Sequence, residues 1–149
     1  MDSLNLPTFE VKVRTANGAR QIFDAVRKKY VALTPEEWVR QHFIEFLVQE
    51  KAVPRSLIAV EQGLKYHQLN KRSDIVVHGR EGQPVLLIEC KAPHIAITQQ
   101  VFDQIARYNM VLKVAWLAVT NGLHHYYCRI DHETRQYQFV PELPPYGDL

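Results

Sequence analysis

Asp74-Ile75-Val76-Val77-His78, the turn Gly79-Arg80-Glu81-Gly82-Gln83-Pro84 and Val85-Leu86-Leu87-Ile88-Glu89-Cys90-Lys91 decide how this chain folds. The first run has the β-branched content of a strand, and the glycines and proline between the runs mark a turn. The second run is apolar on both faces until its end, which predicts a central strand covered on both sides. Together they read as an antiparallel hairpin. Side chains alternate along a strand, so Glu89 and Lys91 point one way and Cys90 points the other, into the core. Hairpin pairing brings the start of the first strand beside the end of the second, and therefore Asp74 beside Glu89. Acidic and basic groups at the end of a buried strand need a reason, because such groups are seldom buried unpaired.

Working outward, Thr34-Pro35-Glu36-Glu37 is a helix start, with Thr34 as N-cap, Pro35 at the first helical position and Glu37 closing a capping box. The helix runs to about Glu50, with Trp38, Val39, Phe43, Phe46 and Leu47 as its apolar stripe. Before it, residues 8–14 alternate as a half-exposed strand with a turn at Ala16-Asn17-Gly18. Ile22 to Tyr30 fits a short strand or a helix, and Ser56 to Val60 a strand or a helix end. After the hairpin, Thr98 to Asn109 has helical spacing, with Val101, Phe102, Ile105 and Ala106 on one side. Val114 to Thr120 reads as a buried strand stopped by Asn121-Gly122. Tyr126 to Ile130 and Tyr137 to Val140 read as a last hairpin, and the proline-rich tail 141–149 as a surface extension. This order predicts a single α/β domain over 1–149, with a mixed central sheet flanked by helices.

Apolar residues make up 46% and charged residues 23% of the chain, the balance of a globular protein rather than a disordered one. The net charge of +2 excludes a strong global field for nucleic acid, so phosphate contacts must come from a local patch. No apolar run is long enough for a membrane helix, and Met1 to Pro7 has neither the basic nor the apolar part of a signal peptide. A cytoplasmic location is the default expectation. Cys90 and Cys128 lack a Cys-x-x-Cys pairing, which favours two buried thiols over a zinc site. His124 and His125 are adjacent on a strand, hence on opposite faces, and make a poor metal pair. No G-x-x-x-x-G-K-[ST] phosphate loop occurs, so no nucleotide cofactor is expected.

Two carboxylates converging at one sheet edge form a hard, oxygen-rich site suited to Mg²⁺ or Mn²⁺, with the Cys90 backbone carbonyl as a further oxygen. Lys91 beside them would offset negative charge and orient a water or contact a phosphate oxygen. Such a set can hydrolyse a phosphodiester.

Asp74, fourteen intervening residues and Glu89-x-Lys91 resemble the active-site motif of the PD-(D/E)xK nuclease superfamily, with Ser73 where the motif's name has proline. Gln104 and Tyr108 lie four apart on a helix, hence on one face. They match the Gln-x-x-x-Tyr motif that follows Glu-x-Lys in the restriction subunits of type I restriction enzymes. Over roughly residues 20–130 the chain is similar to the N-terminal endonuclease domain of those subunits, as a standalone version without the motor. The resemblance implies a restriction-endonuclease-like fold and a metal-dependent deoxyribonuclease working with DNA and with other restriction or repair subunits. It implies Asp74 and Glu89 as metal ligands, Lys91 as the group assisting the attacking water, Gln104 as a residue organising the site and Tyr108 on DNA. Glu37, followed by Arg40, resembles the acidic residue those nucleases place near the metal, although helix capping also explains it. Lys71, Arg72 and Arg107, with Arg80 and Lys113, are candidates for phosphate contacts. The alternative is a nuclease fold used as a non-catalytic nucleic-acid-binding or assembly module. A third reading makes the charged set purely structural.

Overall fold

The computed structural model describes residues 1–66, 69–110 and 112–149, and for residues 61–66, 69–73 and 108 it describes the backbone alone. The chain opens with an antiparallel meander of β1 (Val13–Ala16), β2 (Ala19–Asp24) and β3 (Lys29–Ala32). Helix α1 (Pro35–Glu50) follows, then β4 (Ile58–Tyr66), β5 (Leu69–His78), β6 (Pro84–Cys90), helix α2 (Gln99–Met110), β7 (Trp116–Thr120), β8 (His125–Asp131) and β9 (Gln136–Val140). Strands β4 to β9 form one six-stranded sheet in sequence order. Every neighbouring pair is antiparallel except β6 and β7, which run parallel because α2 carries the chain back between them.

The expected hairpin is β5–β6, and β6 is an inner strand with both faces covered. One face of the sheet, bearing Ile75, Val77, Leu86, Ile88, Cys90 and Ala118, packs on Val39, Phe43, Ile44 and Leu47 of α1. The other, bearing Val76, Leu87, Leu117, Val119 and Cys128, packs on Phe102 and Ala106 of α2. Each large apolar side chain closed off this way contributes about 1.5–3 kcal/mol. Among the described residues no helix is long and apolar enough to cross a membrane.

Four expectations change. The first strand is Val13–Ala16 rather than 8–14, because β1 and β2 are joined by a two-residue turn. Asn17 and Gly18 have φ of 53° and 78°, the geometry that matches strand twist in a hairpin. Phe9, which gave the earlier segment its apolar rhythm, packs edge-on against His42 of α1 instead. The ambiguous stretch 22–30 is neither one strand nor a helix: it holds the end of β2, a turn and the start of β3. The tail is no simple surface extension, since Leu143 is fully buried in the α1-side core and Tyr146 donates its amide to the Lys51 carbonyl and its hydroxyl to the His78 carbonyl. Trp116 is core as expected, whereas Trp38 is only half-buried and donates its ring N–H to the Asp2 carbonyl.

The N-terminal segment is a strap. Asn5 donates its amide to the Gly122 carbonyl and accepts from His125 Nε2, while Leu4 and Leu6 pack on the core. Gly122 has φ of 86°, and a Cβ there would lie 2.8 Å from Leu4 Cδ2 and 3.0 Å from Val39 Cγ2. Gly122→Ala therefore combines backbone strain with displacement of the strap, and urea denaturation is expected to record a loss of about 1–3 kcal/mol.

Candidate active site

The site begins with the start of α1. Thr34 is extended and its Oγ1 accepts from the Glu37 amide at 3.0 Å, with Pro35 next in line. This fixes the first turn and places Glu36, Glu37, Arg40 and Gln41 on neighbouring positions of one helix face. Only half of the capping box forms. The Glu37 carboxylate turns to Arg27 Nη2 at 3.1 Å, Arg40 Nη1 at 2.5 Å and Gln41 Nε2 at 2.9 Å.

Asp74 sits where the β5–β6 ladder stops. The last paired residues are Ile75 and Ile88, and one further step of that register sets Asp74 opposite Glu89. Residues so opposed have Cβ atoms about 4.5–5.5 Å apart, within reach of a shared cation. Asp74 Oδ2 accepts from the Cys90 amide at 2.7 Å, the place a backbone carbonyl would take if the ladder continued. Its Oδ1 accepts from Arg40 Nη2 at 3.1 Å, and the same nitrogen lies 3.1 Å from Glu36 Oε1. Lys91 follows the last residue of β6, and its amide donates to the Thr120 carbonyl, which ties the site to the end of the parallel strand β7. Strand alternation therefore no longer dictates the direction of its side chain.

Electrostatics bind these groups into one cluster. Burial and the Asp74 charge raise the Glu36 carboxyl above its ordinary value, and Arg40 and Lys91 partly offset them. Burial acts to lower Arg40, but Glu37 and Asp74 outweigh it and hold the guanidinium charged. Burial, reinforced by Asp74, pushes the Cys90 thiol well up. At the far end, burial tends to raise Asp24, but the Arg27 amide and guanidinium reverse this and lower it. Among the described residues, Asp24, Glu36, Glu37 and Asp74 thus gather around Arg27 and Arg40, and Lys91 acts on Glu36.

Among the described residues no three His, Cys, Asp or Glu side chains converge as a ready metal cage. The donor chemistry nevertheless fits Mg²⁺, which retains several waters and takes one or two carboxylates. Among the described residues each Asp74 oxygen accepts one hydrogen bond, which leaves it a second lone pair.

The structure brings Asp74, Glu89, Cys90 and Lys91 to one sheet end. Glu37 is redirected: both of its oxygens serve Arg27, Arg40 and Gln41, so it braces the site, and the half-exposed Glu36 is the α1 carboxylate beside Asp74 and Lys91. Gln104 does not join them. It is exposed on α2, two positions from the sheet-facing Phe102, and among the described residues no hydrogen bond links it to the cluster. Arg107 is likewise exposed on α2, and the side chains of Lys71, Arg72 and Tyr108 lie outside the described residues. The sequence reading missed Glu36 and the reach of Arg40. The signal was present: the Thr34-Pro35 cap sets the helix phase, and that phase puts Glu36 and Arg40 four apart on one face.

A mixed sheet between two helices, with acids and a lysine gathered at the carboxyl end of an inner strand, defines a restriction-endonuclease-like domain. A family model described as type I restriction enzyme R protein N terminus matches residues 35–144. The chain belongs to that family. Among solved structures it is similar to a fragment of an HsdR subunit of a type I restriction enzyme from Vibrio vulnificus YJ016. The TM-score is 0.55 at 18% identity, with 78% of this chain and 24% of that chain covered. The chain therefore spans about a quarter of that solved protein. No curated protein matches it.

Asp74 and Lys91 act on Glu36 with opposite sign. Lys91→Met is expected to move the Glu36 titration to higher pH and Asp74→Asn to lower pH, followed by carboxyl-carbon NMR. A Glu36 titration unmoved by both would remove it from the site.

Proposed function

We propose that this domain hydrolyses DNA phosphodiester bonds with a divalent metal ion, Mg²⁺ or Mn²⁺, in the cytoplasm and in company with other restriction subunits. The observation that carries this reading is the Asp74 carboxylate at the open end of the β5–β6 ladder, held there by the amide of Cys90, the residue after Glu89, and by Arg40. Asp74, Glu89 and the Cys90 carbonyl would hold the ion, with Glu36 adjoining. When bound, the ion would lower the pKa of a coordinated water and offset charge developing on the phosphoryl group.

The residues of the chain do the rest. Lys91, half-buried at the end of β6, orients the attacking water and balances the acids when a phosphate approaches. Arg40 stays charged beside Asp74. Gln104, exposed on α2, is free to meet a bound strand, and Arg107 on the same helix contacts phosphate. The resemblance adds Tyr108, Lys71 and Arg72 as candidates for DNA contact.

Purified protein is expected to cleave DNA with Mg²⁺ or Mn²⁺ and to stop on addition of EDTA. Lys91→Ala should lower the rate by about 100-fold or more while circular dichroism stays unchanged. Cleavage that survives in Lys91→Ala would remove the role given to that lysine. The modest net charge and the hydrogen bonds already made by both Asp74 oxygens favour a second reading, a binding or assembly module. Salt-sensitive DNA binding with no metal-dependent product across several substrates would decide for it.

A further inference from the structure

Asp74 is the end of a relay that starts outside the main sheet. Asp24, at the end of β2 and fully buried, accepts from the Val26 and Arg27 amides at 2.8 and 2.9 Å and from Arg27 Nε at 2.6 Å. Arg27 passes its other end to Glu37, Glu37 holds Arg40, and Arg40 reaches Asp74 across the gap between α1 and β5. Glu37 and Arg40 are 6% and 4% exposed, so the middle of the relay is out of water, where such pairs are less screened. Among the described residues the meander β1–β3 shares no strand pairing with the main sheet. The relay is a polar link from it to the site.

We propose that Arg40 is a positioning residue, and that Asp24, Arg27 and Glu37 hold it so that Asp74 presents a fixed carboxylate to a divalent cation. The inference rests on the metal-dependent reading above. A planar fork is needed because one guanidinium serves Glu36, Glu37 and Asp74 together, which a point-charged ammonium cannot do. A buried pair that merely stabilised the fold would not need to end on a carboxylate that also caps the open end of the β5–β6 ladder. Metal-site neighbours that orient a ligand characteristically influence affinity by about 10–100-fold.

The test keeps charge constant and removes the fork. In Arg40→Lys, exchange of the Cys90 amide, whose N–H donates to Asp74 Oδ2, is expected to speed up by about tenfold by NMR. Mn²⁺ affinity should weaken by about tenfold or more, with kcat for DNA cleavage lowered and KM unchanged. Arg27→Lys, two links further from Asp74, should shift both quantities the same way by less, and it serves if Arg40→Lys fails to fold. Arg55→Lys, whose partner Glu45 stands apart from the relay, should shift neither. Unchanged Cys90 exchange in the relay variants overturns the proposal, as does unchanged Mn²⁺ affinity despite faster exchange. If the unaltered protein binds no Mn²⁺, the metal-dependent reading and the role toward the cation fall together. Faster Cys90 exchange would in that case still establish that the relay holds Asp74.

Discussion

The hydrogen bond from the Cys90 amide to Asp74 marks where β5 and β6 stop behaving as a ladder. An inner strand that lost a partner at its end would leave a buried N–H unsatisfied, at a cost of about 1–3 kcal/mol. A side-chain carboxylate supplies the acceptor instead. This solves a backbone problem and at the same time puts a charged group at the end of an apolar strand. That charge then requires Arg40, Arg40 requires Glu37, and Glu37 draws in Arg27 and Asp24. The arrangement of the whole polar flank follows from one interrupted pairing.

The parallel step from β6 to β7 is the second constraint. It makes the carboxyl ends of two adjacent inner strands coincide, so that Lys91 joins Thr120 and the loop after β6 is held over Asn121, whose side-chain amide donates to the Ile95 carbonyl. In open α/β sheets such carboxyl ends are where ligands bind. α1 and α2 cover opposite faces, and Asp74 meets the start of α1 through Arg40 beside the end of β6.

Much of this was legible in the chain because the β5–β6 hairpin, the Thr34-Pro35 cap and the 98–109 periodicity are local signals. The 74-to-89 spacing even carried the register. The meander was less legible because Phe9 imitates a strand residue while packing on His42, and because a turn divides 22–30 between two strands. The tail was misread because three prolines suggest solvent, yet Leu143 and Tyr146 reach the core from between them. In the site, pairing rules set Asp74 opposite Glu89, one step beyond the last observed pair of Ile75 with Ile88. Choosing Glu36 over Glu37 depended on which arginines lie nearby, and Arg27 comes from another element altogether. Gln104 shared a helix face with Tyr108, but periodicity gives the face of a helix without saying whether that face meets the acids.

The two thiols lie on opposite sides of the six-stranded sheet, Cys90 in the layer under α1 and Cys128 in the layer under α2. Burial raises both, Cys128 to about 12, so neither offers thiolate near neutral pH while its cover is in place. They are free cysteines, and the chain therefore carries one dormant chemical marker in each half of its interior. Alkylation of Cys128 before Cys90 would mean that the second helix lifts first, and the reverse order would mean that the polar flank opens with the first. Native breathing of each layer can thus be timed separately, without adding a label.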